Sequence, residues 1–399
     1  MPKREARAAA AGRRRPSLAI VAALVGIVVA AFNLRIAVVS VGPLLEEIRA
    51  DTGMSSALAG VLTTIPFVCM GAFSVSGAPV VRWIGRERAV AAGLMLIVAG
   101  TLLRSAVSSP ALLLAATVPS GIGIAIMNVT LPAVVRDRFP HRPGAVTGAY
   151  VASLSIGSVV VTAGVVPLSH ALGGWQPALA VTAAPALLAI AVWLVTRAGR
   201  DAGNVVDDED FSDSRPIRAA VMLGFVFGFQ SICYAAMVSW GPAVFTDVGW
   251  SESRAGLVTA VIPLATIPAG LLLPALSDGR DRRPWVFVSA AVMTVAMLGI
   301  AFAPDAAAWV WITLFGLSNG GVFSLALTLP LDIARSPSEV TWMTSWMLGI
   351  GFLMSGASTV IVGALRDLTG GFTVPIALIG ILGFAAGIVA MRLRPPAPA

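Results

Sequence analysis

The chain has 399 residues, of which 57% are hydrophobic and 12% are charged, and its mean hydropathy is +0.89. This balance excludes an ordinary soluble domain. The net charge of +7 does not indicate nucleic-acid binding, because the basic residues are spread over the loops instead of being gathered on one surface. The composition therefore predicts a polytopic membrane protein, with the lipid bilayer and a small-molecule substrate as its partners and no nucleic acid.

Twelve apolar runs follow one another along the chain, each long enough to cross a bilayer. They lack the ten-residue alternation of an outer-membrane barrel, so we predict an all-α membrane protein with twelve transmembrane helices. The runs are 18–45, 56–81, 89–108, 110–135, 144–169, 175–196, 219–245, 254–276, 285–303, 307–333, 340–364 and 372–391.

Arg35 lies inside the first run, where a permanently charged guanidinium is costly and rare. None of the 20 acidic residues lies in the middle of an apolar run. The sequence therefore offers Arg35 no acidic partner within the membrane. One interpretation is that Arg35 binds an anionic ligand from solution; the other is that it snorkels to the headgroups or pairs with backbone carbonyls.

The basic residues favour one side of the membrane. When alternate loops are assigned to the same side, 22 of the 27 Lys and Arg residues fall on the side of the two termini. The positive-inside rule then predicts a multi-pass protein of the plasma (inner) membrane with both termini in the cytoplasm. The loops of the other side carry only Arg49, Arg104, Arg254 and Arg366.

The sequence indicates neither a metal site nor a cofactor. Cys69 and Cys233 both lie in apolar runs, where small buried hydrophobic residues are the expected interpretation. His141 and His170 lie outside the membrane, so no proton-relay pair is visible. Without a nucleophile constellation or a large soluble domain, we expect that the chain is not an enzyme.

The only long polar stretch inside the chain is 198–217, which contains the acidic run Asp207–Asp210. It predicts a flexible cytoplasmic linker between two six-helix bundles. The predicted organisation is a basic N-terminus at 1–17, bundles at 18–197 and 218–392, and a tail at 393–399.

An internal repeat relates the two predicted bundles. SVGPLL from Ser40 matches SWGPAV from Ser239 at an offset of 199, and Leu131-Pro132 matches Leu329-Pro330 at 198, with two further matches at 196 and 197. Because six is an even number, the halves run in the same direction, related by a pseudo-two-fold axis along the membrane normal. This arrangement resembles the major facilitator superfamily, which implies a substrate site near the midplane and alternating access.

Four sequence segments indicate one family within this superfamily. They begin at Asn33 (NLRIAVVSVGPLLEEI), Gly121 (GIGIAIMNVTLPAVVRDRFP), Phe227 (FGFQSICYAAMVSWGPAVF) and Gly316 (GLSNGGVFSLALTLPL). Together they resemble the cyanate and 2-nitroimidazole porter family, although Ile36 replaces a proline that is common there. The resemblance implies a secondary transporter for a small anion or a polar planar solute that is cyanate-, nitrate- or nitroimidazole-like, functioning as a monomer.

An alternative remains open, namely an efflux pump for a hydrophobic or weakly charged compound, in which Arg35 would be structural. The fifth run lacks the Gly-x-x-x-Gly-Pro-x-x-Gly-Gly pattern that is typical of drug–proton antiporters, and this favours the first interpretation.

The candidate substrate-binding residues lie mainly on the first, fourth, seventh and tenth runs, which line the central cavity in the superfamily that the chain resembles. Gln230 and Tyr234 share one helix face, whereas Asn33 lies about 200° around the helix from Arg35 and is a weaker candidate. Each polar group could contact substrate or merely bridge helices. The full set is Arg35, Asn33, Asn128, Gln230, Ser231, Tyr234, Asn319 and Trp346.

The loop between the second and third runs, from Gly77 to Arg88, partly matches a loop signature of the superfamily but lacks its aspartate. The corresponding loop of the second half contains Asp278. The resemblance implies a cytoplasmic gate, and the alternative is that these charges only set the topology. The gate residues would be Arg82, Gly85, Arg86, Arg88 and Asp278.

Overall fold

The computed structural model describes residues 18–139, 143–197, 217–277, 280–335 and 337–393. In this part of the chain, nearly every residue belongs to one of fifteen α-helices or one short 3-10 helix, and twelve helical spans are long and apolar enough to cross a membrane. The prediction of a twelve-helix membrane protein is confirmed. The basic N-terminus 1–17, all but one residue of the linker 198–217, and the tail 394–399 lie outside the described residues.

The first bundle contains spans 1 to 6. Span 1 consists of Leu18–Val39, a 3-10 turn at Gly42–Leu44 and Leu45–Thr52. Spans 2 to 5 are Ser56–Ile84, Arg86–Ser105, Pro110–Arg138 and Pro143–Leu172, and span 6 consists of Trp175–Val181 and Ala184–Arg197.

The second bundle contains spans 7 to 12. Span 7 is the continuous helix Ile217–Asp247, and span 8 consists of Glu252–Thr259 and Val261–Leu276. Spans 9 to 12 are Arg283–Phe302, Ala308–Ile333, Pro337–Thr369 and Thr373–Arg392.

The two ends of the helical region lie on the same side of the membrane, because the number of spans is even. We call the side where span 1 begins and span 12 ends the near side, and the opposite side the far side. Arg35 lies about 25 Å along span 1 from its near end, at 1.5 Å per residue.

The buried apolar residues form one shared core on the far side and two separate cores on the near side. The far-side core joins both bundles, with Leu45 and Val39 from the first and Trp240 and Phe245 from the second. On the near side, the buried residues of one cluster all belong to the first bundle and those of another all belong to the second, and Phe352 of span 11 packs against both clusters. The bundles therefore share one core on the far side and have separate cores toward the near side.

Gly42 shows how closely the bundles approach. A Cβ atom at this position would lie 2.3 Å from the backbone oxygen of Val238 on span 7, which is too close for any side chain. The repeated Gly-Pro pair therefore has two different structures. Span 1 changes to a 3-10 turn at Gly42, whereas span 7 continues as an α-helix through Pro242.

We expect Gly42→Ala to lower the apparent midpoint of thermal unfolding in detergent, because overpacking a tight contact typically costs about 1–3 kcal/mol. The matched control is Gly164→Ala on span 5, where a new Cβ would meet nothing within 4 Å. That control should keep or slightly raise the midpoint, since alanine favours helix over glycine. Equal midpoints for the two variants would contradict the tight contact.

Candidate functional site

Arg35 lies at the interface between the two bundles. It is seven residues before Gly42 and so projects from nearly the same face of span 1, the face that approaches span 7. The Arg35 side chain is half-buried. Its guanidinium carbon lies 5.1 Å from the centre of the Tyr234 ring on span 7. Within the described residues, Arg35 has no acidic partner and no hydrogen bond.

The contact with Tyr234 leaves the hydrogen-bonding capacity of Arg35 unused. A cation within about 6 Å of an aromatic centroid is attracted by the ring electrostatically, and none of the N–H donors of Arg35 is in a hydrogen bond within the described residues. The ring thus contributes to stabilising the charge without occupying a donor. The Tyr234 hydroxyl likewise has no hydrogen-bond partner in the part of the chain that the structure describes.

Tyr150 is a residue of this region that sequence reasoning missed. It lies on span 5, is 8% exposed, and is within reach of the electrostatic field of Arg35. The chain contains only two tyrosines, so both are associated with the same cation. The scarcity of tyrosine was the available signal, but the sequence could not show that span 5 packs beside span 1.

Asn33 faces away from Arg35. Its amide donates to the backbone oxygen of Val29 at 2.7 Å and to that of Pro185 on span 6 at 3.0 Å. The side chain is 1% exposed and its Oδ1 has no partner. The structure therefore places Asn33 between spans 1 and 6 inside the first bundle, away from the interface, and we leave it out of the site.

The polar residues of spans 7 and 10 mainly contact each other. Ser231 donates to Gln230 Oε1 at 3.1 Å. The Asn319 amide lies 3.5 Å from the backbone oxygen of Gln230 and 3.8 Å from the sulfur of Met293. Asn319 thus bridges spans within the second bundle, as the helix-bridging interpretation expects. The amide nitrogen of Gln230 has no partner among the described residues and is the group of this set that remains available.

Asn128 and Trp346 are not in contact with Arg35. Asn128 on span 4 is half-buried and has no hydrogen-bond partner within the described chain. Trp346 lies about 14 Å from the near end of span 11, with its ring centre 6.1 Å from that of Trp342. Both residues therefore lie closer to the near side than Arg35 does.

A second buried arginine was not anticipated. Arg104 lies in the last turn of span 3 and is only 1% exposed, whereas the sequence suggested a far-side loop. Within the described residues, it donates one hydrogen bond, to Thr101 Oγ1 at 3.4 Å. A cation at a helix C-terminus is favoured by the helix dipole. Arg104 is enclosed within the first bundle, so it does not share the accessibility of Arg35.

The predicted near-side gate is described only in part. Gly85 joins spans 2 and 3 with φ of +82°, a backbone conformation that favours glycine, so its presence has a structural cause. Arg88 is exposed and Arg86 is half-buried. Asp278 and the side chain of Arg82 lie outside the described residues.

Two ion pairs on the near side, missed in the sequence, connect neighbouring spans within each bundle. Arg138 at the end of span 4 binds Glu87 at the start of span 3, at 2.5 Å. In the second bundle, Arg282 beside the start of span 9 binds Asp332 near the end of span 10. The two pairs join equivalent span ends, the start of the third and the end of the fourth span of each bundle, with acid and base exchanged. Their offsets of 195 and 194 differ from those of the repeat, so the repeat did not indicate them.

On the far side, charged groups connect the two bundles. Arg366 of span 11 binds Glu46 of span 1 at 2.7 Å. The neighbouring Asp367 accepts hydrogen bonds from the backbone N–H groups of Ser56 at 3.2 Å and Ala57 at 2.9 Å. These groups form the N-terminus of span 2, which attracts anions. The far side is therefore closed by polar contacts as well as by packing.

Spans 2 and 11 also form hydrogen bonds with each other, at a level closer to the near side than these charges. The Thr64 hydroxyl donates to the backbone oxygen of Gly356 at 2.6 Å, and the Thr359 hydroxyl donates to that of Gly60 at 3.0 Å. The pattern is reciprocal between the two bundles. It allows the helix backbones to approach closely without a large apolar interface.

Comparison with known proteins shows which family has this architecture. The family model described as Major Facilitator Superfamily matches residues 18–341. The chain is 30% identical to the cyanate transport protein CynX of Escherichia coli (strain K12) over 378 residues, covering 93% of this chain and 97% of that protein. It is 32% identical to the 2-nitroimidazole transporter of the same organism over 368 residues, covering 92% and 93%.

A solved structure agrees at the level of the fold. The crystal structure of a bacterial homologue of the human lysosomal transporter Spinster, in an inward-facing and unoccupied conformation, superposes with a TM-score of 0.78 at 14% identity. The alignment covers 96% of this chain and 100% of that chain. The family consists of transporters and not enzymes. The chain is a multi-pass membrane transporter and belongs to the Major Facilitator Superfamily.

Proposed function

We propose that the chain is a secondary transporter that carries a small anion or a polar planar solute across the plasma membrane by alternating access. The observation that carries this proposal is the state of Arg35. A cation at the bundle interface, with its N–H donors free among the described residues, needs an electron-rich partner. A substrate that enters between the bundles would supply it.

The single positive charge of Arg35 favours a singly charged or dipolar substrate. Within the described residues, Arg35 contacts the Tyr234 ring, acts electrostatically on Tyr150 and has no acidic partner. One guanidinium matches a monoanion or a nitro group better than a dianion. The names of the two relatives, a cyanate transporter and a 2-nitroimidazole transporter, support the cyanate-, nitrate- or nitroimidazole-like class.

We propose that Arg35 and Tyr234 form the centre of the substrate site, with Gln230, Asn128 and Trp346 lining the path to it from the near side. Ser231 would act through Gln230, which it contacts, and Asn319 would hold span 7 in place.

The near side is proposed to be cytoplasmic, because most of the basic residues belong to its loops. The separate cores of the two bundles on that side support a conformation in which the substrate site faces the cytoplasm. The near-side residues Gly85, Arg86 and Arg88 would then take part in closing the path, together with Arg82 and Asp278. Each monomer contains a complete path between its own bundles, which supports function as a monomer.

The efflux alternative requires a structural role for Arg35. Such a role would be supported by an acid or backbone carbonyls around the guanidinium, and the described residues provide neither. We therefore favour the transport of a polar solute.

We expect Arg35→Gln to abolish the thermal stabilisation that cyanate, nitrate or 2-nitroimidazole gives the purified transporter. The loss of a charge-assisted hydrogen bond should weaken binding by roughly 10- to 100-fold, and uptake into proteoliposomes should fall in parallel. Arg35→Lys should restore binding only in part, because lysine is a point charge without a planar fork.

The matched control is Arg254→Gln. Arg254 also stacks on an aromatic ring, that of Trp250 at 3.7 Å, but it is exposed on the far side. This variant should bind ligand and transport like the wild type. Normal ligand binding and uptake by Arg35→Gln would refute the proposed site.

Tyr234 should act through its ring. We expect Tyr234→Phe to keep ligand affinity within about twofold, because phenylalanine preserves the cation–π contact. Tyr234→Leu should weaken binding by about 5- to 30-fold, which corresponds to a partly desolvated cation–π interaction. Equal losses in the two variants would show instead that the hydroxyl contacts the substrate, and wild-type affinity for Tyr234→Leu would exclude a role for the ring.

Arg366→Gln should make the far side open more often. Removing the ion pair with Glu46 deletes a charge-assisted contact between the bundles, so the far-open state should rise by up to about tenfold. The readout is the labelling rate of a Val39→Cys variant by a membrane-impermeant thiol reagent that is applied from the far side. Val39 is 2% exposed in the far-closed structure.

The labelling is carried out after Cys69 and Cys233 have been replaced by alanine. Arg254→Gln again serves as the control, because it removes a far-side arginine that has no ion pair to the other bundle among the described residues. An unchanged labelling rate in Arg366→Gln would show that the ion pair does not hold the far side closed.

A further inference from the structure

A small pocket lies between the bundles, just beyond Arg35 on the far side of it. It is lined by spans 1, 5, 7 and 8, and has room for a group of about the size of one water molecule. Val39 of span 1 and Val238 of span 7 form part of its wall. Each lies four residues beyond the cation–π pair formed by Arg35 and Tyr234, so the pocket is one helical turn, about 6 Å, farther along.

Two hydroxyl groups of span 5 face this pocket without a partner. Ser158 is 2% exposed and Thr162 is 6% exposed, and both residues line the pocket. Neither hydroxyl has a hydrogen bond within the described chain, although most helical Ser and Thr hydroxyls here donate to a carbonyl of their own helix. Neither oxygen is fully enclosed by protein. Both hydroxyls are therefore open to the pocket and can form a hydrogen bond with a polar group that enters it.

The pocket belongs to the path between the bundles and not to the interior of one of them. Its opposite wall includes Thr259 of span 8, whose hydroxyl already donates to Ala255 and Gly256. Spans 5 and 8 approach closely beside it, because a Cβ atom on Gly256 would lie 3.1 Å from the backbone oxygen of Thr162. Movement of one bundle against the other would therefore open or close the pocket.

We infer that Ser158 and Thr162 form a second subsite, which binds a neutral hydrogen-bonding group of the substrate while Arg35 binds its electron-rich end. The inference rests on the proposed function. It predicts a substrate with two polar ends about one helical turn apart. The pocket lining contains hydroxyl and apolar groups and no carboxylate, so it suits a neutral group such as a ring N–H or a hydroxyl better than a cation.

The test compares two probes by thermal shift on the purified full-length transporter. Nitrate is compact and can occupy only the position at Arg35, whereas 4-nitroimidazole carries a ring N–H across the ring from its nitro group. We expect Thr162→Val and Ser158→Ala each to weaken 4-nitroimidazole binding by about 2- to 10-fold, as for the loss of a neutral hydrogen bond. The affinity for nitrate should not change.

Thr130→Val is the matched control, because Thr130 is also buried in a span but its hydroxyl already donates to Ile126 at 2.7 Å. It should affect neither probe. If Thr162→Val and Ser158→Ala change both probes equally, or neither, the subsite is excluded. Arg35→Gln separates the two proposals. Loss of both probes in that variant supports the site at Arg35, whereas retention of both overturns it even if the hydroxyl variants remain selective.

Discussion

The structure depends on keeping one cation between two bundles without giving it an acid. A guanidinium at this depth is stable only if water, an aromatic face or a ligand replaces its hydration. Tyr234 supplies the aromatic face, and the separation of the near-side cores supplies a route for water or substrate. Arg104 shows the contrast, because it is enclosed in its own bundle at a helix C-terminus. Arg35 instead lies at the interface between the bundles, where its charge would be available to a substrate under the proposed function.

The contacts between bundles and those within bundles have different chemistry. Between the bundles, the far side is held by a shared apolar core and by the polar contacts of Arg366, Asp367 and the reciprocal threonine hydrogen bonds. These polar contacts can be exchanged for water. Within each bundle, ion pairs such as Glu87 with Arg138 fasten the near ends of neighbouring spans. Each bundle can therefore move as a unit, since its internal contacts need not break when the contacts across the interface do.

The sequence predicted what depends on local patterns. The spans follow from hydropathy, the two halves from the repeat, and Arg35 and Tyr234 from a charge and a polar face within apolar helices. It could not predict contacts that depend on how spans pack. Tyr150 gains its relation to Arg35 only because span 5 lies beside span 1. The ion pairs of Glu87 and Asp332 were not predicted because they join the ends of neighbouring spans at positions that the repeat does not align. Helix geometry indicated that Asn33 points away from Arg35, yet Asn33 was kept among the candidates, and its partner on span 6 was not foreseeable.

The far-side closure and the proposed substrate site both involve span 1. Gly42 contacts span 7 two helical turns beyond Arg35, and the hydroxyl-lined pocket lies between these two levels. A substrate that draws Arg35 and span 5 together would act on the same short stretch of helix that seals the far side. Opening that seal would also widen the pocket, because Val39 and Val238 form part of its wall. Along span 1, the cation comes first, then the pocket, then the tight glycine contact. A solute that moves from the near side to the far side would meet them in this order.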